Sequence, residues 1–172
     1  NSVNYTGSVT SNSVTITIAG ANLQGLTNGT TYTITANVSD VAGNVATQGS
    51  TTFIYDITHP SVTSFTMSDT ALKIGDTSTV TLVFSEAITE FNNTDITVIN
   101  GSLTTMTSSD NITWTGTFTP STNLEDTSNV LTLVTSYTDV DGNAGPSSTT
   151  ANYIIDTLAP TISSITPSWG SY

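Results

Sequence analysis

Acidic residues that recur at a fixed interval are the feature of this sequence that could do chemistry, and that chemistry is the binding of a hard divalent cation. Residues 40–44 (DVAGN) return as residues 139–143 (DVDGN), 99 positions later (139 − 40). A second acidic residue follows each copy, and these two, Asp56 and Asp156, are 100 positions apart (156 − 56). A constant period is typical of a tandem array in which one structural unit is copied along the chain.

The charge balance favours calcium as the partner of these carboxylates. The 172 residues include 13 Asp and Glu, one Lys (Lys73), no Arg and one His (His59), which gives a net charge of −12. Salt bridges cannot neutralise so many acids, and nucleic acids or anionic membranes are poor partners because both require a basic patch. Carboxylate and carbonyl oxygens are the ligands that Ca²⁺ prefers in proteins.

The predicted ligands lie in three segments that a seven-strand Greek-key sandwich would bring to one end of a domain. These segments are the linker 56–60, residues 85–86 and the turn 139–143, where Gly142 permits the positive φ that such a turn requires. The same pattern is also typical of an ordinary tight turn, in which the Asp only caps the backbone. The predicted calcium ligands are Asp56, Glu86, Asp139, Asp141 and Asn143, with Asp40, Asn44 and Asp156 at the matching positions of the neighbouring repeats.

The elements that must position these residues are strands. Alternating apolar residues at 14–18 and 32–38, and a further run at 51–55, predict about four strands in residues 1–58. An immunoglobulin-like sandwich needs about seven strands and roughly 100 residues, so residues 1–58 are interpreted as the C-terminal part of one repeat. The chain is expected to start inside a longer protein.

Residues 59–158 are interpreted as a complete repeat and residues 159–172 as the start of the next, because 161–166 resemble 61–66. No helical period is sustained along the chain. The fold class is therefore predicted to be all-β, with tandem immunoglobulin-like Greek-key β-sandwich domains. Strands are predicted at 62–67, 80–84, 96–98, 103–106, 112–118, 131–137, 153–155 and again from 161, with loops at 69–76 and 85–95.

Four motifs resemble the bacterial immunoglobulin-like repeats of giant calcium-dependent surface adhesins. They are residues 84–88 (FSEAI), 95–101 (DITVING), 139–143 (DVDGN) and 156–160 (DTLAP), and residues 26–60 resemble a sister repeat type. The resemblance implies extracellular stalks that are stiffened by Ca²⁺ where neighbouring repeats of the same chain meet, and that hold an adhesive tip away from the cell. Similar repeats occur in virion fibres and in surface-layer proteins, so the expected location is a cell or virion surface.

Cysteine content and hydropathy agree with that location. The sequence has no Cys, so disulfides and thiolate metal sites are both excluded. No apolar run approaches the length of a membrane span, so direct membrane insertion is not expected. The abundance of Thr, Ser and Asn suits a secreted or cell-surface protein.

An enzyme is the first alternative, and the residues do not favour it. His59 is the only histidine and stands beside Pro60 in the predicted linker, so a Ser-His-Asp set is not available elsewhere. Glu86 and Glu90 could be the paired carboxylates of a glycosidase, but no long cleft is predicted. Zinc is not expected with one His and no Cys. The chain is therefore predicted not to be an enzyme.

A glycan-binding module is the second alternative. A strand aromatic such as Trp114 could stack on a sugar ring, although such a residue more often packs in a core. The other candidate stacking residues are Tyr55, Trp169 and Tyr172.

Self-association is the third alternative. Residues 161–170 of one chain could complete the sheet of residues 1–58 in the next by strand donation, as in a surface-layer, filament or virion fibre protein.

Overall fold

A computed structural model of the chain describes residues 15–168. The chain divides into two compact units, Asn1–Ile57 and Thr58–Tyr172. The three-part division predicted from the sequence, into 1–58, 59–158 and 159–172, stays a prediction. None of the helices in residues 15–168 has the length and hydropathy of a membrane span.

The first unit is built around one antiparallel hairpin. Strand β1 (Thr30–Ala36) pairs with strand β2 (Gly49–Tyr55) along its whole length. Both strands are rich in Thr, Ile, Phe and Tyr, whose branched or aromatic side chains favour the extended backbone. The rings of Tyr32 and Phe53 stack across the hairpin, with centroids 5.8 Å apart. A short 3-10 helix, Gly20–Asn22, precedes the hairpin.

The strand predicted from the apolar residues at 14, 16 and 18 is wrong for the part that the structure describes. Residues 15–19 form no strand, and residue 14 lies outside the described residues. An alternating pattern favours an extended segment, but only pairing with a neighbouring strand stabilises it. Neither β1 nor β2 pairs with this segment, and Ile16 is exposed.

Short strands make up the second unit, and they follow one another at the spacing expected of a sandwich. A 3-10 helix, Asn93–Asp95, lies between the strands called β6 and β7 below. The strands are β3 (Val62–Met67), β4 (Ala71–Lys73), β5 (Ser78–Phe84), β6 (Ile88–Thr89), β7 (Ile96–Thr97), β8 (Gly101–Leu103), β9 (Thr113–Pro120), β10 (Glu125–Asn129), β11 (Thr132–Leu133), β12 (Thr138–Asp139), β13 (Ser148–Thr149) and β14 (Tyr153–Asp156).

Two layers of strands form the sandwich. The first layer is an antiparallel sheet in the order β3-β5-β9-β8. The second consists of shorter ladders in the orders β7-β11-β13, β6-β12 and β4-β14-β10, in which only β4 and β14 run parallel. A four-stranded sheet (β3-β5-β9-β8) that faces a second layer of strands is the arrangement of an immunoglobulin-like β-sandwich. The predicted fold class is therefore confirmed.

The core lies between the two layers and follows the alternation of the strands. On β5, Val80, Leu82 and Phe84 are buried, while the intervening side chains are not. Full burial of such a side chain contributes roughly 1.5–3 kcal/mol. The buried hydrophobic residues are Phe65, Leu72, Val80, Leu82, Phe84, Ile88, Phe91, Ile96, Met106, Phe118, Leu131, Leu133, Tyr137, Tyr153 and Ile155.

Several predicted boundaries of the second unit need correction. The predicted loop 69–76 contains β4, because three residues there pair with the parallel strand β14. The predicted loop 85–95 contains β6 and the 3-10 helix. The strand predicted at 103–106 ends at Leu103, although Met106 is buried beyond it.

The strand predicted from residue 161 onward is also wrong for its described part, since residues 157–168 form no strand. Ile162 and Ile165 of this segment are 81% and 82% exposed. The alternating pattern favours an extended segment, but this segment pairs with no described strand that would stabilise it.

Candidate functional site

The turn 139–143 reverses the chain between β12 and the segment that leads to β13. The carboxylate Oδ1 of Asp139 accepts hydrogen bonds from the N–H groups of Asp141 (2.9 Å) and Asn143 (2.8 Å). The side-chain amide of Asn143 donates to Oδ2 of Asp139 over 2.8 Å. Gly142 has a φ of 93°, a left-handed conformation that favours glycine. The carboxylate of Asp139 therefore closes the turn from inside.

Asp139 is ionised in this position although it is buried. Burial alone would raise the pKa of its carboxyl. Hydrogen bonds from the Asn143 side chain, and from the N–H groups of Asn143, Asp141 and Gly142, outweigh burial and hold the pKa below its ordinary value. The turn thus keeps a negative charge at the end of the sandwich at neutral pH.

The turn 40–44 of the first unit has the same hydrogen bonds. Oδ1 of Asp40 accepts from the N–H of Asn44 (2.8 Å), and the Asn44 side chain donates to Oδ2 (2.7 Å). Gly43 repeats the φ of 93°. The side-chain hydrogen bond from Asn44 is the largest of the effects that lower the pKa of Asp40. The two turns differ in exposure, since Asp40 is exposed and Asp139 is buried.

Both turns occupy the same place in the fold. Bridges flank them at Ser39 and Val45 in the first unit and at Thr138 and Ala144 in the second, and these bridges are offset by 99 residues (138 − 39). The sequence repeat therefore corresponds to a repeated hairpin.

The remaining predicted ligands lie in different elements. Glu86 is half-buried in the segment before β6, and Asp141 is exposed. Asp56 follows β2 in the first unit and is half-buried, whereas Asp156 is the last residue of β14 and accepts the N–H of Leu158 over 3.3 Å. Within residues 15–168, no three His, Asp or Glu side chains form a group that could hold a metal ion. Calcium binding at these residues stays a prediction.

The chain enters the second unit beside the turn 139–143. Nδ1 of His59 lies 2.9 Å from the carbonyl oxygen of Ala144. Ser61 exchanges two hydrogen bonds with Ser85: its N–H donates to the Ser85 hydroxyl and its carbonyl accepts the Ser85 N–H, each over 2.9 Å. This end of the unit, residues 59–61, 85–86 and 139–144, is called the leading pole.

The chain leaves β14 at the other end of the unit through Thr157, which is buried. Its hydroxyl donates to the carbonyl of Ser121 (2.7 Å) and accepts the N–H of Leu124 (3.0 Å). Its own N–H donates to the Leu124 carbonyl over 2.7 Å. This end, residues 73–77, 119–123 and 157, is called the trailing pole. Both chain ends of the sandwich are therefore tied down by hydrogen bonds.

A buried carboxylate, Asp95, plays a structural role that the sequence analysis missed. Its side chain accepts the N–H of Asn92 over 2.8 Å and a short hydrogen bond from the Ser136 hydroxyl. The Asn92 side chain in turn accepts the N–H of Thr94, which completes a capping box on the 3-10 helix. Burial and then the charge of Asp95 raise the pKa of Tyr137 to about 12. The Asn-x-x-Asp spacing is the signal that could have indicated this cap.

Trp114, the strand aromatic considered for sugar stacking, belongs to the packing of the sandwich. Its ring meets the ring of Phe91 edge-on with centroids 4.7 Å apart, and the side chain is half-buried against the core. This contact gives a glycan-binding role no support. Trp169 and Tyr172 lie outside the described residues.

The sandwich, its tied chain ends and its repeated hairpin turn define a structural immunoglobulin-like module. The family described as Bacterial Ig-like domain matches residues 56–155, and the chain belongs to this family. Domains of this family are often extracellular or surface-exposed, and the family is defined by a structural fold rather than by a catalytic centre. No curated protein and no solved structure matches the sequence.

Proposed function

We propose that this chain belongs to the spacer region of a large extracellular adhesin-like protein, in which immunoglobulin-like domains follow one another. The hairpin turn that recurs with the same hydrogen bonds at Asp40 and Asp139 is the observation that supports this best. A bacterial Ig-like domain suggests an extracellular structural module. With its chain ends tied at opposite poles, the second unit holds those poles a fixed distance apart, which is what a spacer requires.

Calcium binding is the second part of the proposal, with Asp56, Glu86, Asp139, Asp141 and Asn143 as ligands. The lowered pKa of Asp139 keeps one carboxylate ionised in the turn, and Asp141 places a second one beside it on the surface. The sequence has a single Lys or Arg to set against 13 acidic residues. Because the chain has so few cationic side chains, a hard metal cation such as Ca²⁺ is the natural counterion for its carboxylates.

Thermal unfolding of the full chain in Ca²⁺, in Mg²⁺ and in chelator tests this role. Free Ca²⁺ at 100 times its Kd should stabilise the folded chain by about 2.7 kcal/mol. For a domain of this size that corresponds to a rise in Tm of roughly 10–20 °C. The variant Asp141→Ala should lose this rise without a lower Tm in chelator, because the exposed Asp141 side chain does not close the turn. Equal Tm values in Ca²⁺ and chelator would refute calcium binding.

Small-angle scattering of the same samples tests the stiffening itself. A stiffer spacer predicts a narrower distribution of distances between the two units in Ca²⁺ than in chelator. A distribution that does not change with Ca²⁺ would leave the chain as a flexible string of domains.

Assembly by strand donation, as in a surface-layer, filament or virion fibre protein, is the second candidate function. The hairpin of the first unit favours it, because its apolar face is exposed where the matching face of the second unit is core. Ile34 is 41% exposed and Val38 53%, whereas Leu133 and Tyr137, at the matching hairpin positions, are fully buried. Light scattering decides: donation predicts a mass that grows with concentration, and a strict monomer at high concentration would refute it.

A further inference from the structure

The sheet of the first unit has two open edges. In the part of the chain that the structure describes, β1 and β2 pair only with each other, so neither strand has a partner strand on its outer side. An isolated two-stranded hairpin is marginally stable in water, and a sheet of three or more strands with an apolar face is needed for stability. A further strand at one of these edges would therefore stabilise the first unit.

The second unit shows what kind of strand fits the outer edge of β1. Thr33 and Ile34 of β1 correspond, 99 positions later (132 − 33), to Thr132 and Leu133 of β11. β11 pairs with β13 on one side and with the antiparallel strand β7 on the other. β7 places a Thr opposite Thr132 and an Ile opposite Leu133. The matching edge in the second unit is thus filled by an antiparallel strand in which Thr faces Thr and an aliphatic side chain faces another.

β1 itself has the sequence of such a strand. Tyr32 and Ile34 point to one face of the hairpin, and Thr31, Thr33 and Thr35 point to the other. When β1 lies antiparallel to β1 of a second copy with all seven residues paired, Thr33 faces Thr33 of that copy and Tyr32 faces its Ile34. Thr–Thr and aromatic–β-branched neighbours are both favourable cross-strand pairs.

Charge favours the same edge. The chain has a net charge of −12, so two copies repel each other wherever acidic surfaces meet. Asp40 and Asp56 are the only charged residues of residues 1–57, and the other 11 acidic residues (13 − 2) belong to the second unit. No residue of β1 or before it is charged, whereas β2 ends next to Asp56. The outer edge of β1 is therefore where two copies can pair with the least repulsion.

Two outer strands of the second unit are protected against such pairing. The Asn93 side chain donates to the carbonyls of Leu103 (3.3 Å) and Thr104 (2.9 Å) and accepts the N–H of Met106 (2.8 Å), so it covers the end of the outer edge of β8. β10 carries two acidic side chains and a shift in register. Charged residues, bulges and cover by other groups are the means by which sheets prevent unwanted edge pairing. β1 has no charge, no Pro and a regular register along β2.

We propose that β1 pairs antiparallel with β1 of a second copy of this chain about a two-fold axis at Thr33. The two hairpins then form one four-stranded sheet in the order β2-β1-β1-β2, and Tyr32, Ile34 and Phe53 of both copies share one apolar face. The contact is isologous, so it closes a dimer. It goes beyond the proposed spacer role because it joins two chains side by side, and it differs from strand donation because residues 161–170 take no part in it.

Directed disulfide formation in the full chain tests the register, because the sequence has no Cys of its own. Directly opposite residues of antiparallel strands have Cα atoms about 4.5–5.5 Å apart, which a disulfide can bridge. Thr33→Cys alone should therefore form a disulfide-linked dimer on oxidation in excess chelator. Thr31→Cys alone and Thr35→Cys alone should form several-fold less dimer, because like thiols would lie four residues apart along the strands, about 13 Å.

A mixture of the last two variants gives the complementary result. Thr31 of one copy faces Thr35 of the other in this register, so a ¹⁵N-labelled Thr31→Cys chain and an unlabelled Thr35→Cys chain should form mixed dimers several-fold above the statistical proportion. Mass spectrometry counts the mixed and like-with-like dimers. The variants are matched controls for one another, since Thr31, Thr33 and Thr35 are all exposed.

Sedimentation of the unsubstituted chain in chelator tests the contact without a cross-link. The pairing predicts a mass that rises with concentration and stops at two chains. Thr33→Lys would place like charges opposite each other at the axis and should raise the dissociation constant several-fold. Thr52→Lys is the matched control, since Thr52 is the exposed partner of Thr33 within the hairpin and lies on the strand away from the contact. This variant should leave the dissociation constant unchanged.

A strict monomer would overturn the pairing, and it is the result expected if the chain's own residues cover the edge of β1. Equal cross-linking of the three single Cys variants would also overturn it. A mass that continues to grow beyond two chains would overturn it in favour of strand donation. Because chelator is present throughout, failure here is independent of the calcium test.

Discussion

Replacing Asp139 with Ala separates the structural role of the acidic turn from a role in metal binding. The carboxylate accepts three hydrogen bonds inside the turn, two from N–H groups and one from the Asn143 side chain. Hydrogen bonds to a charged group contribute about 1.5–3 kcal/mol each. Water can reach the N–H groups of this turn once the acceptor is lost, so we expect a net cost of about 2–4 kcal/mol. For a domain of this size, Tm should fall by roughly 10–25 °C.

Thermal unfolding followed by circular dichroism in excess chelator measures this cost. Asp40→Ala is the matched control, because the same hydrogen bonds are made there by an exposed carboxylate, and its Tm should fall less. A fall in Tm that appears only in Ca²⁺, with none in chelator, would refute the reasoning, since Asp139 would then act as a ligand rather than as the acceptor that closes the turn.

Acidification provides an independent check on Asp139. Its pKa is lower in the folded chain than in the unfolded chain, so its contribution to stability is complete above the unfolded value of about 3.9. The contribution is lost as the pH falls through the folded pKa. The Tm difference between the wild type and Asp139→Ala should therefore shrink below about pH 4. A difference that grows on acidification would contradict the hydrogen-bond explanation.

Four further predictions concern the packing of the sandwich and its leading pole, and urea unfolding checks the first three. Tyr153→Phe should stabilise the chain by about 1–3 kcal/mol, because the buried Tyr153 hydroxyl has no hydrogen-bond partner among the described residues. Tyr137→Phe should instead destabilise the chain by about 0.5–1.5 kcal/mol. The Tyr137 hydroxyl donates to a main-chain carbonyl over 2.6 Å, so equal signs for the two variants would be a contradiction. Gly145→Ala should cost at least about 1–3 kcal/mol, since the new Cβ would lie 2.0 Å from the Tyr137 ring, while Gly49→Ala, with open space around it, should be close to neutral. His59→Ala should cost about 0.5–1.5 kcal/mol through its lost hydrogen bond to a carbonyl, and no loss would mean that the ring does not hold the incoming chain. Burial raises the pKa of Tyr137 and of Tyr153 to about 12, so Tm should fall as the pH rises above the unfolded value of about 10, and a Tm that is flat to pH 12 would contradict their burial.

The long strands of the sandwich were predictable because their alternation is a property of the segment itself. β5 buries Val80, Leu82 and Phe84 and turns Thr79 and Thr81 away, which is the pattern a half-buried strand requires. β9 was predicted for a similar reason, although its burial is less regular. Such segments carry enough apolar surface to fix both their register and the face that points inward.

The short strands were not predictable because their partners define them. β4 has three residues, and only Leu72 among them is buried, so no period can be read from it. β10 includes Glu125, Asp126 and Asn129, which local propensity assigns to a loop. Both become strands through pairing with β14, and that pairing depends on the tertiary fold.

The acidic turn shows a different limit of sequence reasoning. The Asp-x-x-Gly-Asn pattern predicted a tight reversal at 40–44 and 139–143, and both reversals are present. Whether the carboxylate binds an ion or the backbone could not be decided, because both roles require the same oxygen atoms at the same position. The Asp139 carboxylate already accepts hydrogen bonds from N–H groups of its own turn. A calcium ion would have to bind the lone pairs of that carboxylate that these hydrogen bonds do not use.

The pairing that the sequence concealed also explains how one module could transmit tension along a spacer. The chain enters at the leading pole and crosses the sandwich as β3. β4 follows and runs parallel to β14 towards the trailing pole, where β14 ends at Asp156, just before Thr157. A pull that separates the poles therefore draws β4 and β14 in opposite directions along their shared ladder. Their hydrogen bonds are then loaded together in shear rather than opened one at a time. On the entry side the pull first meets the hydrogen bonds of His59 and Ser61 and then the β3–β5 ladder, and on the exit side it meets those of Thr157. Because Leu72 of β4 and Ile155 of β14 are also core residues, sliding this ladder would pull apart part of the core, so the ladder and the core resist stretching together.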